Sequence, residues 1–153
     1  MNMGQDKVMN ELSEILVSCG CSLVVRSAGG DITTYSKKGV RDLIWLIDNE
    51  PGRLRGADVA DKVVGKAAAG LMVNAGVRSV YAKVISVLAV EVLKSASIVF
   101  SYDDLTDRIT VPEGDTRCRL EDIVEKAENP RQIETMLRKH FEERQLSVIN
   151  TKK

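Results

Sequence analysis

Four ionisable side chains fall within one short stretch: Asp58, Asp61, Lys62 and Lys66. Read as a helix, the stretch puts Asp58, Lys62 and Lys66, spaced i, i+4 and i+8, on one strip, with Asp61 beside it in the first turn. A helix start carries unpaired N–H groups and the positive end of the dipole, and lysines one and two turns further in strengthen its pull on an anion. The chemistry is then capture of a phosphate-bearing or other anionic small molecule. A catalytic alternative uses Asp61 as acid/base and Lys66 as nucleophile or electrostatic stabiliser. A purely structural reading has Asp58 capping the helix and pairing with Lys62, a solvated ion pair contributing about 0.3–0.5 kcal/mol. Lys66 fits that reading less well. It stands between Gly65 and Ala67-Ala68-Ala69, where tight packing means a lysine needs a partner or a pocket.

Other reactive groups are sparse. Ser86 precedes an apolar helical run, where a hydroxyl caps the helix or borders a ligand. Cys118 follows a loop and precedes a helix, a setting that favours a thiolate, although a packed thiol explains it too. The three cysteines Cys19, Cys21 and Cys118 are an odd number without a secretion signal, which argues against a disulfide framework and for structural thiols. Cys19-Gly20-Cys21 lacks the further ligands a zinc site needs, since the only histidine is His140. No metal and no other cofactor are expected. Gly29-Gly30 and Arg53/Arg55 read equally as a ligand border or as a turn and surface charge, and Trp45, in a very apolar helix, reads as core.

The elements that position these groups follow from periodicity. Apolar pairs recur every four residues from Val59/Ala60 through Val63/Val64 and Ala67/Ala68 to Leu71/Met72, so residues 58–76 are expected to form one central helix, stopped by Gly76. Its interior glycines each cost about 1 kcal/mol relative to alanine. Close approach to the sheet through Gly65, Ala68 and Gly70 is expected to offset that. Before it come an amphipathic helix over 6–18, strands over 23–25 and 32–35 joined by the Gly-rich hairpin 27–31, and an apolar helix over 40–48 broken by Pro51-Gly52. After it come a strand over 79–85, a helix over 87–94, a strand over 98–102, a polar stretch with a short strand at 109–111, a helix over 120–127, and a last helix opening at Pro130. Residues 150–153 form a frayed tail.

Such alternation in 153 residues implies one α/β domain spanning 1–153, ordered over about 6–146, with a mixed sheet of about five strands between layers of helices. Lys plus Arg and Asp plus Glu balance at 22 each, and aromatic residues make up only 4%. Neither supports a nucleic-acid partner. Nothing approaches the roughly 20 apolar residues of a membrane span, and the N-terminus lacks a signal peptide's apolar core. A cytoplasmic location with no membrane partner is expected.

The order of elements, a hairpin followed by helix, strand, helix and strand, resembles the cytidine-deaminase-like fold. More narrowly, Gly56-Ala57-Asp58-Val59-Ala60-Asp61-Lys62-Val63-Val64-Gly65-Lys66-Ala67-Ala68-Ala69 resembles the signature of a small uncharacterised bacterial family, a zinc-less branch of that superfamily. The resemblance covers about residues 22–127. A weaker match is Gly114-Asp115-Thr116-Arg117-Cys118-Arg119-Leu120-Glu121, in which Arg119 stands where the family tends to show proline. Zinc deaminases carry His-x-Glu at the start of the central helix and Pro-Cys-x-x-Cys at the start of the next. Asp58 to Lys62 and Ile85-Ser86-Val87-Leu88-Ala89 hold neither, so zinc-dependent deamination is not expected. The resemblance implies a nucleotide-like ligand beside the central helix, held by Asp61, Lys62, Lys66, Ser86 and Cys118. It also leaves open an enzyme without zinc and a homo-oligomeric interaction module with a vestigial pocket.

Overall fold

The structure, a computed structural model, describes residues 3–37, 40–109 and 120–151. In chain order its elements are α1 (Met3–Cys19), β1 (Leu23–Arg26), β2 (Ile32–Tyr35), α2 (Arg41–Asn49), α3 (Pro51–Leu54), β3 (Asp58–Val64), α4 (Lys66–Ala75), β4 (Ser79–Ser86), α5 (Val87–Ser95), β5 (Val99–Thr106), α6 (Leu120–Ile123) and α7 (Pro130–Thr151). The five strands form one mixed sheet in the order β2-β1-β3-β4-β5. β1 runs antiparallel to both β2 and β3, whereas β3, β4 and β5 are parallel. Parallel neighbours need crossovers, and α4 and α5 supply them.

Alternation along the strands splits the core in two. Val24 and Ala60 pack with Leu12, Leu16 and Cys21 under α1. Their neighbours Leu23, Val25 and Val59 face the larger cluster with Leu43 and Leu46 of α2, Leu71 and Met72 of α4, Leu93 of α5, and Ile133 and Leu137 of α7. Helices therefore cover both faces of a five-stranded α/β sheet.

The expected helix over 58–76 is a strand, a turn and a helix. Residues 58–64 pair on one side with β1 and on the other with β4, and Gly65 turns the chain with φ −99° and ψ −177° before α4 begins at Lys66. The four-residue rhythm of apolar pairs runs unbroken across Gly65. Three valines in 58–64 against three alanines in 66–69 mark the change, because β-branched residues fit a pleated sheet and alanine favours helix. The expected stop holds: Gly76 is left-handed at φ +78°.

Several ends also differ. β5 runs on to Thr106, absorbing Asp103 and Asp104, since an edge strand has one side unpaired and tolerates charge there. Ile109 lies outside any strand, and residues 110 and 111 fall outside the described residues. α6 ends at Ile123, with a turn in place of the expected helix to Ala127. Trp45 is 45% exposed and not core. At about 100° per residue, a helix that turns Leu43 and Leu46 inward puts Trp45 on the opposite side, facing out, while Ile44 stays at the edge of the core.

α4 packs chiefly on α5 and α7, which redirects the expectation about its small residues. A Cβ on Gly70 would meet Ile133 of α7 at 2.6–2.9 Å, not the sheet. Ile133 is 1% exposed, and one of the close atoms is its own Cβ, so little can give way. Gly70→Ala is expected to cost on the order of 1–3 kcal/mol by overpacking, and pairing it with Ile133→Val should recover part of the loss. Urea denaturation of both variants checks this. An unchanged midpoint for Gly70→Ala would contradict the close approach.

Candidate functional site: the paired starts of α4 and α5

β3 and β4 are parallel neighbours, with Val64 opposite Ile85, so the helices that follow them start side by side. Ser86, in extended conformation, caps α5 by accepting from the Ala89 N–H at 3.1 Å. Its hydroxyl donates to Glu121 Oε2 at 2.6 Å, and the Lys66 N–H at the start of α4 donates to the same oxygen at 3.0 Å. The Ile109 N–H donates to Glu121 Oε1. One carboxyl group, 4% exposed, thus gathers donors from both helix starts and from the chain after β5. Unpaired N–H groups at a helix start need such an acceptor. Gly65 makes room for it: a Cβ there would lie 3.2 Å from Glu121 Cγ and from Ile109 Cγ1.

Lys66 reinforces the arrangement. It is the first residue of α4, not mid-helix, and its Nζ donates to the carbonyls of Glu125 at 2.9 Å and Ala127 at 2.8 Å. The partner that packing demanded of this lysine is the turn after α6, which its side chain holds, while its backbone N–H holds Glu121 within α6 itself. Arg108 adds ion pairs to Asp122 and Glu125.

The other acidic and basic groups of the stretch are strung along β3 rather than along a helix. Asp58 is no helix cap. At the first residue of the strand and 2% exposed, it accepts from Arg78 Nε at 3.1 Å and Nη2 at 2.5 Å and from the Ser79 hydroxyl, with Arg26 at 3.9 Å. On a strand, a four-residue separation spans about 13 Å, so the expected Asp58–Lys62 pair does not form. Lys62 is exposed, and as the next residue in the strand it turns to the face opposite Asp61.

Asp61 is 8% exposed. Burial, the dominant cause, pushes its carboxyl up to about 7, and the nearby charge of Asp42 adds to the rise; the N–H groups of Val63 and Lys62 pull the other way. The Val63 contact is 3.3 Å. Asp42, in the first turn of α2 and itself 6% exposed, accepts from the Lys37 N–H at 3.0 Å.

Of the five expected ligand-binding residues, the structure brings Lys66 and Ser86 together, separates Asp61 and Lys62 onto opposite faces of β3, and leaves Cys118 outside the described residues. Glu121, at the centre, was not among the five. Its one signal in the sequence is its place at the end of the weaker resemblance, Gly114 to Glu121. The start of α4, Lys66-Ala67-Ala68-Ala69, carries no histidine, cysteine or glutamate. Among the described residues no three or more His, Cys, Asp or Glu side chains gather in a metal-holding group, and no helix is long and apolar enough to cross a membrane.

Comparison with protein families matches residues 11–141 to TM1506, a domain of unknown function (DUF1893). The chain belongs to the TM1506 family. A crystal structure of a TM1506 (DUF1893) family protein from Thermotoga maritima, at 2.70 Å resolution, superposes with a TM-score of 0.77 at 26% identity. That match covers 88% of this chain and 90% of the other. No curated protein matches. The family profile takes in everything from within α1 to Phe141, so the paired helix starts, Asp61 and Glu121 all lie inside the TM1506 domain.

Proposed function

We propose that this TM1506-family chain has the cytidine-deaminase-like fold and binds an anionic, nucleotide-like small molecule where α4 and α5 begin, without a metal. The fold reading is supported by the order of elements: a helix, an antiparallel hairpin, then three parallel strands joined by α4 and α5. The observation that carries the binding reading is the convergence of the Lys66 N–H and the Ser86 hydroxyl on one carboxyl group. A phosphate or carboxylate oxygen of a ligand takes the same two donors, at helix starts whose dipoles favour negative charge. Glu121 holds that position, so an incoming anion competes with it. Displacing α6 also frees Lys66 Nζ from the carbonyls of Glu125 and Ala127 to pair with the ligand. The reading goes with a cytoplasmic protein that has neither nucleic-acid nor membrane partners.

The test is a thermal-shift panel of nucleotides, nucleotide sugars and inorganic phosphate on wild type, Ser86→Ala, Lys66→Ala and Glu121→Ala. A compound that stabilises the wild type should bind Glu121→Ala more tightly, because the internal competitor is gone. Ser86→Ala and Lys66→Ala should weaken it ten-fold or more, since a contact to a charged group contributes about 1.5–3 kcal/mol and about 1.4 kcal/mol is a factor of ten. If no compound stabilises either the wild type or Glu121→Ala, the reading fails.

A second reading has its own observation. Asp61 titrates near neutrality because it is buried, which suits a general acid/base. Under that reading, a chemical step on a bound compound would be lost in Asp61→Asn while binding of the compound persists.

A further inference from the structure

The cysteines at the end of α1 stand apart from the helix starts. Contrary to the expectation of separate thiols, Cys19 and Cys21 are joined by a disulfide across Gly20, with their Cα atoms 5.2 Å apart. Gly20 is left-handed at φ +69°, and a Cβ there would meet nothing within 4 Å. The glycine therefore serves the backbone turn, not the packing: it folds the chain so that residues on either side face one another. The Cys21 N–H also points at Cys19 Sγ, 3.1 Å away. The two sulfurs differ in access. Cys19 is exposed, whereas Cys21 is 3% exposed and packs with Leu12, Leu16, Val24 and Ala60.

A bridge that closes so small a loop adds little constraint to the unfolded chain, because the stabilisation from a disulfide grows with the length of loop it closes. One exposed sulfur paired with one shielded partner is the arrangement of a thiol–disulfide exchange site, in which the exposed sulfur takes the attack and the shielded one resolves it. We infer that Cys19-Gly20-Cys21 is a reversible thiol–disulfide exchange site whose partner is a low-molecular-weight thiol and its disulfide.

Oxidation proceeds in two displacements. The Cys19 thiolate attacks one sulfur of the small disulfide, forming a mixed disulfide and expelling the other sulfur as a thiolate. The Cys21 thiolate then attacks Cys19 Sγ, closing the Cys19–Cys21 bond and expelling the second small thiolate. Two cysteine thiols lose two electrons, the small disulfide gains them, and the two cysteine protons end on the two released thiols. Reduction runs the same steps backwards, with the attack falling on the exposed Cys19 sulfur.

The probe is glutathione. The full chain is equilibrated with reduced and oxidised glutathione at a series of ratios, quenched by alkylation at low pH and analysed by mass. Tryptic cleavage after Lys7 and Arg26 places both cysteines on residues 8–26 and leaves Cys118 on a separate peptide. Oxidation should take the free thiols from three to one per chain, with the loss of two hydrogens confined to peptide 8–26, and reduced glutathione should reverse it. Cys118→Ser should behave the same at this peptide. Cys19→Ser, an exposed and structurally mild change, should abolish the loss, and so should Cys21→Ser if that variant folds. The inference is overturned if peptide 8–26 stays reduced at every ratio, if it stays oxidised in millimolar reduced glutathione, if a glutathione adduct on Cys19 persists unresolved, or if the bridge formed includes Cys118.

Discussion

Glu121→Ala is expected to be among the most damaging single substitutions in the chain, costing on the order of 3–5 kcal/mol. Three donors depend on this carboxyl group: the Lys66 N–H, the Ser86 hydroxyl and the Ile109 N–H. A buried polar group left without its partner costs about 1–3 kcal/mol. The three losses will not simply add, because the donors share one acceptor and relax together. For a chain of this length, 1 kcal/mol moves the melting temperature by roughly 2–4 °C, so a drop of roughly 10 °C is the readout. Glu121→Gln separates the contributions. Its carbonyl oxygen still serves Lys66 and Ser86, but its amide N–H groups then face the Ile109 N–H, so an intermediate cost of about 1–2 kcal/mol is expected. Ser86→Ala should itself cost about 1–2 kcal/mol through the lost α5 cap, and the double variant with Glu121→Ala should cost less than the two alone. If Glu121→Ala melts with the wild type, the carboxyl is not what joins α6 to the two helix starts. The competition argued for the ligand would then lose its basis.

What the sequence makes visible is the local part of this design. The hairpin was readable because Ser27-Ala28-Gly29-Gly30-Asp31 has the composition of a tight turn, and the Ser27 N–H does bond the Asp31 carbonyl at 2.8 Å. The stop at Gly76 and the cap at Ser86 were readable for the same reason: one residue satisfies its own neighbours. β3 was hidden because a strand buried on both faces carries no alternation, and Asp58–Val64 is buried at every position but Lys62 and Val63. Its apolar pairs then merged with those of α4. The centre of the site was hidden for a different reason. Glu121 meets Ser86 from 35 residues away and Lys66 from 55 residues away, and the acceptors for Lys66 Nζ are main-chain carbonyls, which every residue type carries. Lys66 could be singled out as needing a partner, but no sequence pattern says which carbonyls provide it. Trp45 lies outside the core because five apolar residues in a row, 43–47, exceed what one face of a helix can bury.

Asp61 gives the chain an unusual pH dependence that Asp61→Asn should remove. In the folded chain its carboxyl titrates at about 7, against an ordinary value of 3.8. Between those values the folded state holds a proton that the unfolded chain has released, so folding binds protons and stability falls as pH rises. The contribution is fully present below about pH 4 and is lost as pH rises through about 7. Three units at about 1.4 kcal/mol each set the scale, on the order of 3–4 kcal/mol. Asn cannot ionise, yet its oxygen can still accept from the Val63 N–H, so the variant keeps the local turn while losing the charge. The two proteins should therefore be nearly equal in stability at about pH 4.5, with Asp61→Asn the more stable by about 3 kcal/mol at about pH 8. Asp48, whose carboxyl the Arg138 guanidinium holds low by a hydrogen bond, works in the opposite sense. It is present in both proteins and cancels in the difference. Urea denaturation of the pair at several pH values gives that difference directly. A gap that stays constant from about pH 4.5 to about pH 8 would mean that Asp61 ionises as an ordinary carboxyl in the folded chain. An acid/base role near neutrality would then have no group to perform it. A gap that opens between about pH 4 and about pH 7 and levels off above would leave Asp61 holding a transferable proton at neutral pH.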